Sequence, residues 1–263
     1  MKKFFLSLVL LGVALSAHAQ NVDELAKKTQ NPIGDIISVP FQFNFNPDIG
    51  PFGRPQDLLN IQPVVPFRVH PDWNLIVRTI VPVLSQPVGA AQRDYGLGDI
   101  QLQTFLSPSA PSAFIWGVGP VVQMPTRSEP TLGNGLWGAG IGGVVVNISG
   151  PWVYGALVNH VWSIGDPTAT RFEYSVTTIQ PFVNYNFGRG LALGISSTST
   201  ANWDAAPGQK WTVPLGAMLT QTFVFNKQPM SLGAGAFYNI VRPDNASDWQ
   251  FRIQYSLIFP AGK

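Results

Sequence analysis

Hydrophobic and polar residues alternate with period two along most of this chain. Near the start Ile37, Val39, Phe41, Phe43 and Phe45 stand against Ser38, Pro40, Gln42 and Asn44; near the end Trp249, Phe251, Ile253, Tyr255, Leu257 and Phe259 stand against Gln250, Arg252, Gln254 and Ser256. Such a period sends the two sets to opposite faces of a β-strand. Twelve segments of this kind follow one another, near residues 36–45, 57–69, 74–84, 97–106, 114–124, 136–149, 152–164, 173–187, 191–201, 210–224, 231–241 and 248–259. Most run to ten residues or more. Strands of soluble sandwiches usually have about five or six residues, whereas tilted strands that cross a bilayer have about nine to eleven. Ahead of the strands, Asn21–Gln30 is a polar stretch that could form two turns of helix before Pro32.

The connections alternate as well. His70-Pro71-Asp72-Trp73, Ser107–Ser112, Gly150-Pro151, Gly188-Arg189-Gly190 and Asn226–Pro229 are short, while Ser85–Gly96, Pro125–Gly135 and Gly165–Phe172 are longer and hold much of the charge. Short periplasmic turns and longer outer loops are the habit of outer-membrane barrels, and an even strand count puts both termini on the periplasmic side. Trp73 and Trp152 fall beside short turns, and Trp137, Trp162, Trp211 and Trp249 toward long loops, which predicts two aromatic girdles. The expected fold is all-β: a transmembrane up-and-down antiparallel β-barrel of about 12 strands, with a short N-terminal periplasmic segment. Closure removes the sheet edges that lipid would leave unpaired. A soluble periplasmic β-sandwich is the alternative. Pro63, Pro66, Pro82, Pro120, Pro181 and Pro214 run against the pattern, because each removes a ladder hydrogen bond; bulges are expected to absorb some of them. Gly138, Gly140, Gly142 and Gly143 in one segment predict a bend or bulge first, and a close approach by a ligand or plug second.

The first residues form an address. Met1-Lys2-Lys3 is positive, Phe4 to Leu15 is apolar, and Ala17-His18-Ala19 is a small-x-small cleavage site. This is the pattern of a secretory signal peptide, and the apolar run is too short for the ~20 residues of a spanning helix. The domains expected are a signal peptide over 1–19, an N-terminal periplasmic segment or plug over 20–35, and an outer-membrane barrel over 36–263. Composition narrows the rest. Only 11% of the 263 residues are charged, against roughly 25% in soluble domains, so disorder is not expected. Sixteen basic residues face 14 acidic ones, and without Lys2 and Lys3 the count is 14 against 14. That balance argues against nucleic acid as a partner. There is no Cys, hence no disulfide framework, thiolate zinc site or Cys nucleophile.

Several motifs carry a resemblance. Gly96-Leu97-Gly98-Asp99-Ile100 opens a strand, Gly117-Val118-Gly119-Pro120 and Pro125-Thr126 follow, and Gln180-Pro181-Phe182-Val183-Asn184-Tyr185 and the aromatic C-terminal strand complete the set. The chain so resembles the outer-membrane family named for a role in the meta-cleavage pathway of phenol degradation. The resemblance covers most of the mature chain. It implies an outer-membrane β-barrel that passes small, aromatic molecules, and it brings no catalytic residues.

If the more apolar set faces lipid, the other set lines the lumen. Arg68, Arg78, Asp99 and Arg252 are the candidates for lumen electrostatics, and Gln101, Gln103 and Asn184 for its polar lining. A cation facing lipid at mid-bilayer costs roughly 2–4 kcal/mol, which favours this assignment of faces. The arginines either select anionic or polar permeants, as charged rings do in pores, or pair with Asp99 and neighbouring amides. Leu58, Val64, Ile76, Ile80 and Leu84 also point inward, so either Asn21–Ile33 packs against them as a plug or the permeant is itself partly apolar. Twelve strands make a narrower bore than general porins have.

The expected function is passive diffusion of small molecules through a narrow lumen in the outer membrane of a Gram-negative bacterium. The alternatives are a structural or adhesion barrel with a closed lumen, or an outer-membrane lipid hydrolase. Outer-membrane lipid, a small-molecule permeant and the barrel-insertion machinery are the expected partners. No enzyme activity, cofactor or metal is expected. Asn159-His160-Val161-Trp162-Ser163 is the constellation that suggests a Ser/His hydrolase. Residues i and i+3 on one strand face opposite ways, so His160 and Ser163 are not expected to meet.

Overall fold

A computed structural model describes residues 22–110 and 112–260; the signal peptide assigned to residues 1–19 lies outside them. Twelve antiparallel strands form one closed sheet. They are β1 (Ile36–Ile49), β2 (Arg54–Ile61 and Val64–His70), β3 (Trp73–Pro87), β4 (Arg93–Leu97 and Ile100–Pro108), β5 (Phe114–Met124), β6 (Trp137–Ser149), β7 (Trp152–Ile164), β8 (Ser175–Gly188), β9 (Leu191–Ser196 and Ser199–Asn202), β10 (Trp211–Phe225), β11 (Gln228–Val241) and β12 (Trp249–Pro260). Each strand pairs with the next, and β12 returns to β1 in a ladder from Ile36↔Pro260 to Phe45↔Phe251. No helix among the described residues is long and apolar enough to cross a membrane.

The sequence periodicity locates β5 and β7 to the residue. The long link expected at Ser85–Gly96 is mostly strand: Ser85 pairs with Tyr95 and Pro87 with Arg93, which leaves residues 88–92 as the loop. Polar pairs hold this extension together, since Arg93 Nε donates to Ser85 Oγ at 2.9 Å and Arg93 Nη2 lies 3.6 Å from Asp57 Oδ2. At the opposite end the turns are tight. Asn226 and Lys227 both adopt positive φ, 46° and 66°, as a two-residue hairpin turn matched to strand twist requires.

Most of the strand prolines coincide with breaks in the ladder; Pro66 is an exception and pairs with Ile76 in continuous register. Strand β2 is interrupted at Gln62-Pro63, β4 at Gly98-Asp99 opposite Pro82, and β9 at Ser197-Thr198 opposite Pro181. Their carbonyls are still used: Gly98 N donates to Pro82 O at 2.8 Å and Ser197 N to Pro181 O at 3.2 Å. The register shifts between Val213 and Pro214. A missing N–H is tolerated where the ladder is already broken or bulged.

The outward face is apolar and aromatic. Trp73, Trp116 and Trp152 lie at the short-turn end, with Trp73 and Trp116 edge to face at 6.2 Å and Trp152 and Tyr185 at 4.8 Å. Trp137, Trp162, Trp203, Trp211 and Trp249 lie at the long-loop end, where Trp203 meets Trp211 at 5.8 Å. Trp152 and Trp162 stand ten residues apart on β7, which is about 33 Å along the strand and about 23 Å along the axis at a tilt of about 45°.

The core lies inside the barrel rather than between layers. Val64, Ile76, Phe105, Val144, Val146, Val153 and Leu157 pack together against one side of the lumen, and Ile33 of the N-terminal segment joins them. A second cluster of Val121, Leu136, Val161 and Tyr174 fills the lumen toward the long loops. The glycines of β6 serve these clusters. Pairing of β6 with both neighbours runs without a register shift, so the expected bulge is not there. A Cβ on Gly142 would sit 3.2 Å from Val121 and 3.3 Å from Phe105, and one on Gly138 would meet the Tyr174 phenol and lie 2.8 Å from Val161. Glycine makes the floor on which larger side chains rest. Gly138→Val is accordingly expected to cost about 1–3 kcal/mol. The check is the denaturant midpoint of the protein refolded into vesicles, with Gly143→Ala, which meets only Gly117 O at 3.9 Å, left unchanged.

Candidate functional site

Inward side chains leave two cavities stacked along the barrel. The larger, about 500 Å³, lies toward the long loops and is walled mainly by Asn, Gln and Thr. The smaller, about 190 Å³, lies toward the short turns and is floored by Thr29, Gln30 and Pro32 of the N-terminal segment. Gln42, Arg78, Leu157, Gln180 and Arg252 border both cavities and form the waist between them.

Period two explains how two arginines from distant strands reach that waist. Arg78 on β3 and Arg252 on β12 each belong to the inward set of their strand. Arg78 Nη2 donates to Gln62 Oε1 at 2.6 Å and Nη1 to Gln103 Oε1 at 3.2 Å. Gln103 in turn donates to Gln101 Oε1 at 2.6 Å. Arg252 is buried; its Nε donates to Asn44 Oδ1 at 2.8 Å and its Nη2 to Gln250 Oε1 at 3.0 Å. The guanidinium also lies 4.5 Å over the Phe237 ring.

Every partner of the two guanidiniums is neutral. Neither cavity is lined by Asp or Glu, and among the described residues no ion pair involves Arg78 or Arg252. Amide oxygens satisfy N–H groups without cancelling charge. Each guanidinium has five N–H donors, of which two are used by the bonds above. A buried cation without a counter-charge is costly, so this waist offers charge and free donors to an anion.

The other sequence candidates fall in different places. Gln101 and Gln103 line the larger cavity and Asn184 the smaller, where its Nδ2 donates to Val153 O at 3.4 Å. Arg68 lines neither cavity: it is exposed beside the short turn and donates to Pro71 O at 3.0 Å. Asp99 lies in the interruption of β4 at the long-loop end. Its carboxylate accepts from the backbone N–H groups of Arg127, Asn134 and Gly135, at 3.3, 2.7 and 2.9 Å, and so holds the loop between β5 and β6. Burial, and then the Asp99 charge, pushes the nearby Tyr174 phenol up to about 12, so it stays protonated and donates to Leu136 O at 3.3 Å. Phe237 escapes sequence reasoning because β11 presents small residues on both faces. Leu157 and Asn159 escape it because both faces of β7 are largely apolar.

The N-terminal segment is tied to the short-turn end. Residues 22–29 form a helix whose Ala26 is buried. Gly190 N donates to Asp23 Oδ1 at 2.7 Å. Gln30 and Asn186 exchange two amide hydrogen bonds, at 2.9 and 3.1 Å. Asn31 Oδ1 accepts from Ile33 N at 3.1 Å, a turn that delivers Ile33 to the lumen core.

No protein-family model and no curated protein sequence matches the chain. Solved structures do. An outer membrane channel from Pseudomonas putida F1 is similar at a TM-score of 0.63 and 16% identity, over 85% of this chain and 94% of that one. The shared feature is the barrel. Outer membrane phospholipase A from Escherichia coli is similar at a TM-score of 0.44 and 12% identity, over 84% of this chain and 95% of that one. At these identities the likeness is one of fold, and the chemistry of this chain is read from its own lumen and surface.

Proposed function

We propose that this protein is an outer-membrane channel of a Gram-negative bacterium. It passes small anionic or polar molecules, which can carry an apolar body, through the waist at Arg78 and Arg252. One observation carries the reading: two guanidiniums in the lumen with only neutral partners. The two aromatic girdles and the apolar outward face support insertion in lipid. Leu157 at the waist and Leu58 and Ile80 in the larger cavity set apolar side chains among the amides, which suits an amphipathic permeant. Aromatic molecules follow from the family resemblance, and these apolar side chains suit them. The N-terminal segment narrows the short-turn half. Outer-membrane lipid, the permeant and the barrel-insertion machinery are its partners in this reading.

The test is single-channel recording of the refolded mature protein in a planar bilayer. Small discrete steps with anion preference are expected under a salt gradient. A barrel shown by heat-shifted gel mobility to be folded, but electrically silent with and without its N-terminal segment, would overturn the channel.

A further inference from the structure

A second constellation lies on the outward face, at the long-loop end of β7 and β8. His160 and Ser163 do not meet: Ser163 faces the other side of β7, and its Oγ accepts from Tyr174 N at 3.1 Å. The neighbouring strand supplies a different serine. In the β7–β8 ladder His160 pairs with Thr177 and Trp162 with Ser175, so all four side chains share the outward face. His160 Nε2 is 3.2 Å from Ser175 Oγ, and His160 Nδ1 is 2.7 Å from Thr177 Oγ1. Trp203 Nε1 donates to that same Thr177 oxygen at 2.8 Å, and Trp203 N donates to Ser175 O at 2.8 Å.

The geometry points to Ser175, His160 and Thr177 as a serine-hydrolase site facing the membrane, acting on an acyl ester of a lipid. Nucleophile, base and orienting group are each within hydrogen-bond reach of the next. With the proton on Nδ1 donated to Thr177, the Nε2 lone pair faces the Ser175 hydroxyl. Thr177 is a positioning residue held by Trp203, and its neutral oxygen fixes the tautomer as a carboxylate would, without adding charge. The location selects the substrate. The site opens to the barrel exterior within the girdle, between the exposed indoles of Trp162 and Trp203, where the ester region of a bilayer lies. Lys210 Nζ donates to Trp203 O at 2.8 Å and lies 5.8 Å from the indole centre, so a positive charge stands in the same corner for an anionic head group.

The reaction balances with water as co-reactant. Ser175 Oγ bonds to the acyl carbon and its proton passes to His160 Nε2. The bond to the leaving alcohol breaks as that proton is returned to it. Water, deprotonated by the same nitrogen, then attacks the acyl-enzyme, releasing the fatty acid and restoring the Ser175 hydroxyl. This activity is independent of conduction through the lumen.

The experiment uses the mature protein refolded in detergent micelles and a long-chain alkyl fluorophosphonate, which phosphonylates an activated serine with loss of fluoride. Intact mass and peptide mapping are expected to show one adduct per chain on Ser175, absent in Ser175→Ala and formed about a hundredfold more slowly in His160→Ala. Thr177→Val slows labelling about tenfold, whereas Thr177→Ser, which keeps the hydroxyl, restores it. Turnover of a long-chain p-nitrophenyl ester falls in the same order. Heat-shifted gel mobility shows that each variant is folded. Folded protein that takes no adduct, labelling that persists in Ser175→Ala, or an adduct without ester turnover would each overturn the site.

Discussion

Deleting residues 20–35 is expected to raise the single-channel conductance severalfold. The segment occupies lumen volume at the short-turn end, where Thr29, Gln30 and Pro32 floor the smaller cavity. What holds it there is limited. Ile33 buries its side chain in the lumen core, about 1.5–3 kcal/mol by its apolar area. The Gln30–Asn186 exchange and the Gly190–Asp23 bond add about 1 kcal/mol each after the loss of water partners. None of these contacts closes the barrel: the β1–β12 ladder begins at Ile36↔Pro260, after the deleted residues. The truncated chain is therefore expected to fold, with a modest loss of stability and a wider path. Planar-bilayer recording checks it, and an unchanged step size in the folded truncation would show that the segment does not limit the pore.

Replacing both waist arginines with glutamine is expected to abolish the anion preference. For an ion passing about 8 Å from one guanidinium, at an effective dielectric of about 20, the interaction is about 2 kcal/mol. That corresponds to about thirtyfold in relative occupancy for each charge. Arg78→Gln and Arg252→Gln each remove one step, and the double variant removes the attraction while leaving the amide-rich wall in place. The anion-to-cation permeability ratio should fall at least tenfold, read as a shift in reversal potential under a potassium chloride gradient. Arg78→Lys, which keeps the charge and loses the fork geometry, should retain most of the preference. Equal reversal potentials in wild type and double variant would place the conducting path away from both residues.

Much of this molecule is local information. Strand direction decides which way each side chain points, and a two-residue period reports that direction without knowledge of neighbours. The inward positions of Arg78, Gln101, Gln103, Asn184 and Arg252 follow from it, as do the outward tryptophans. The same locality has a limit. Arg68 carries the inward phase but stands at the turn, where phase no longer means lumen. Asp99 carries it too, but three backbone N–H groups of the β5–β6 loop claim its carboxylate. A run of glycines in β6 looks like a bend until the side chains that rest on it are known.

Alternation, strand length, turn spacing and the composition of the two faces, all properties of neighbours along the chain, determined the barrel, its strand number and the character of its wall. Tertiary structure alone decided which inward residues share a height. Register between strands sets that height, and register depends on closure of the whole sheet. Closure brings Arg78 and Arg252 to one waist and seats Ile33 against Phe105, and the register of the β7–β8 pair carries Ser175 to the imidazole of His160.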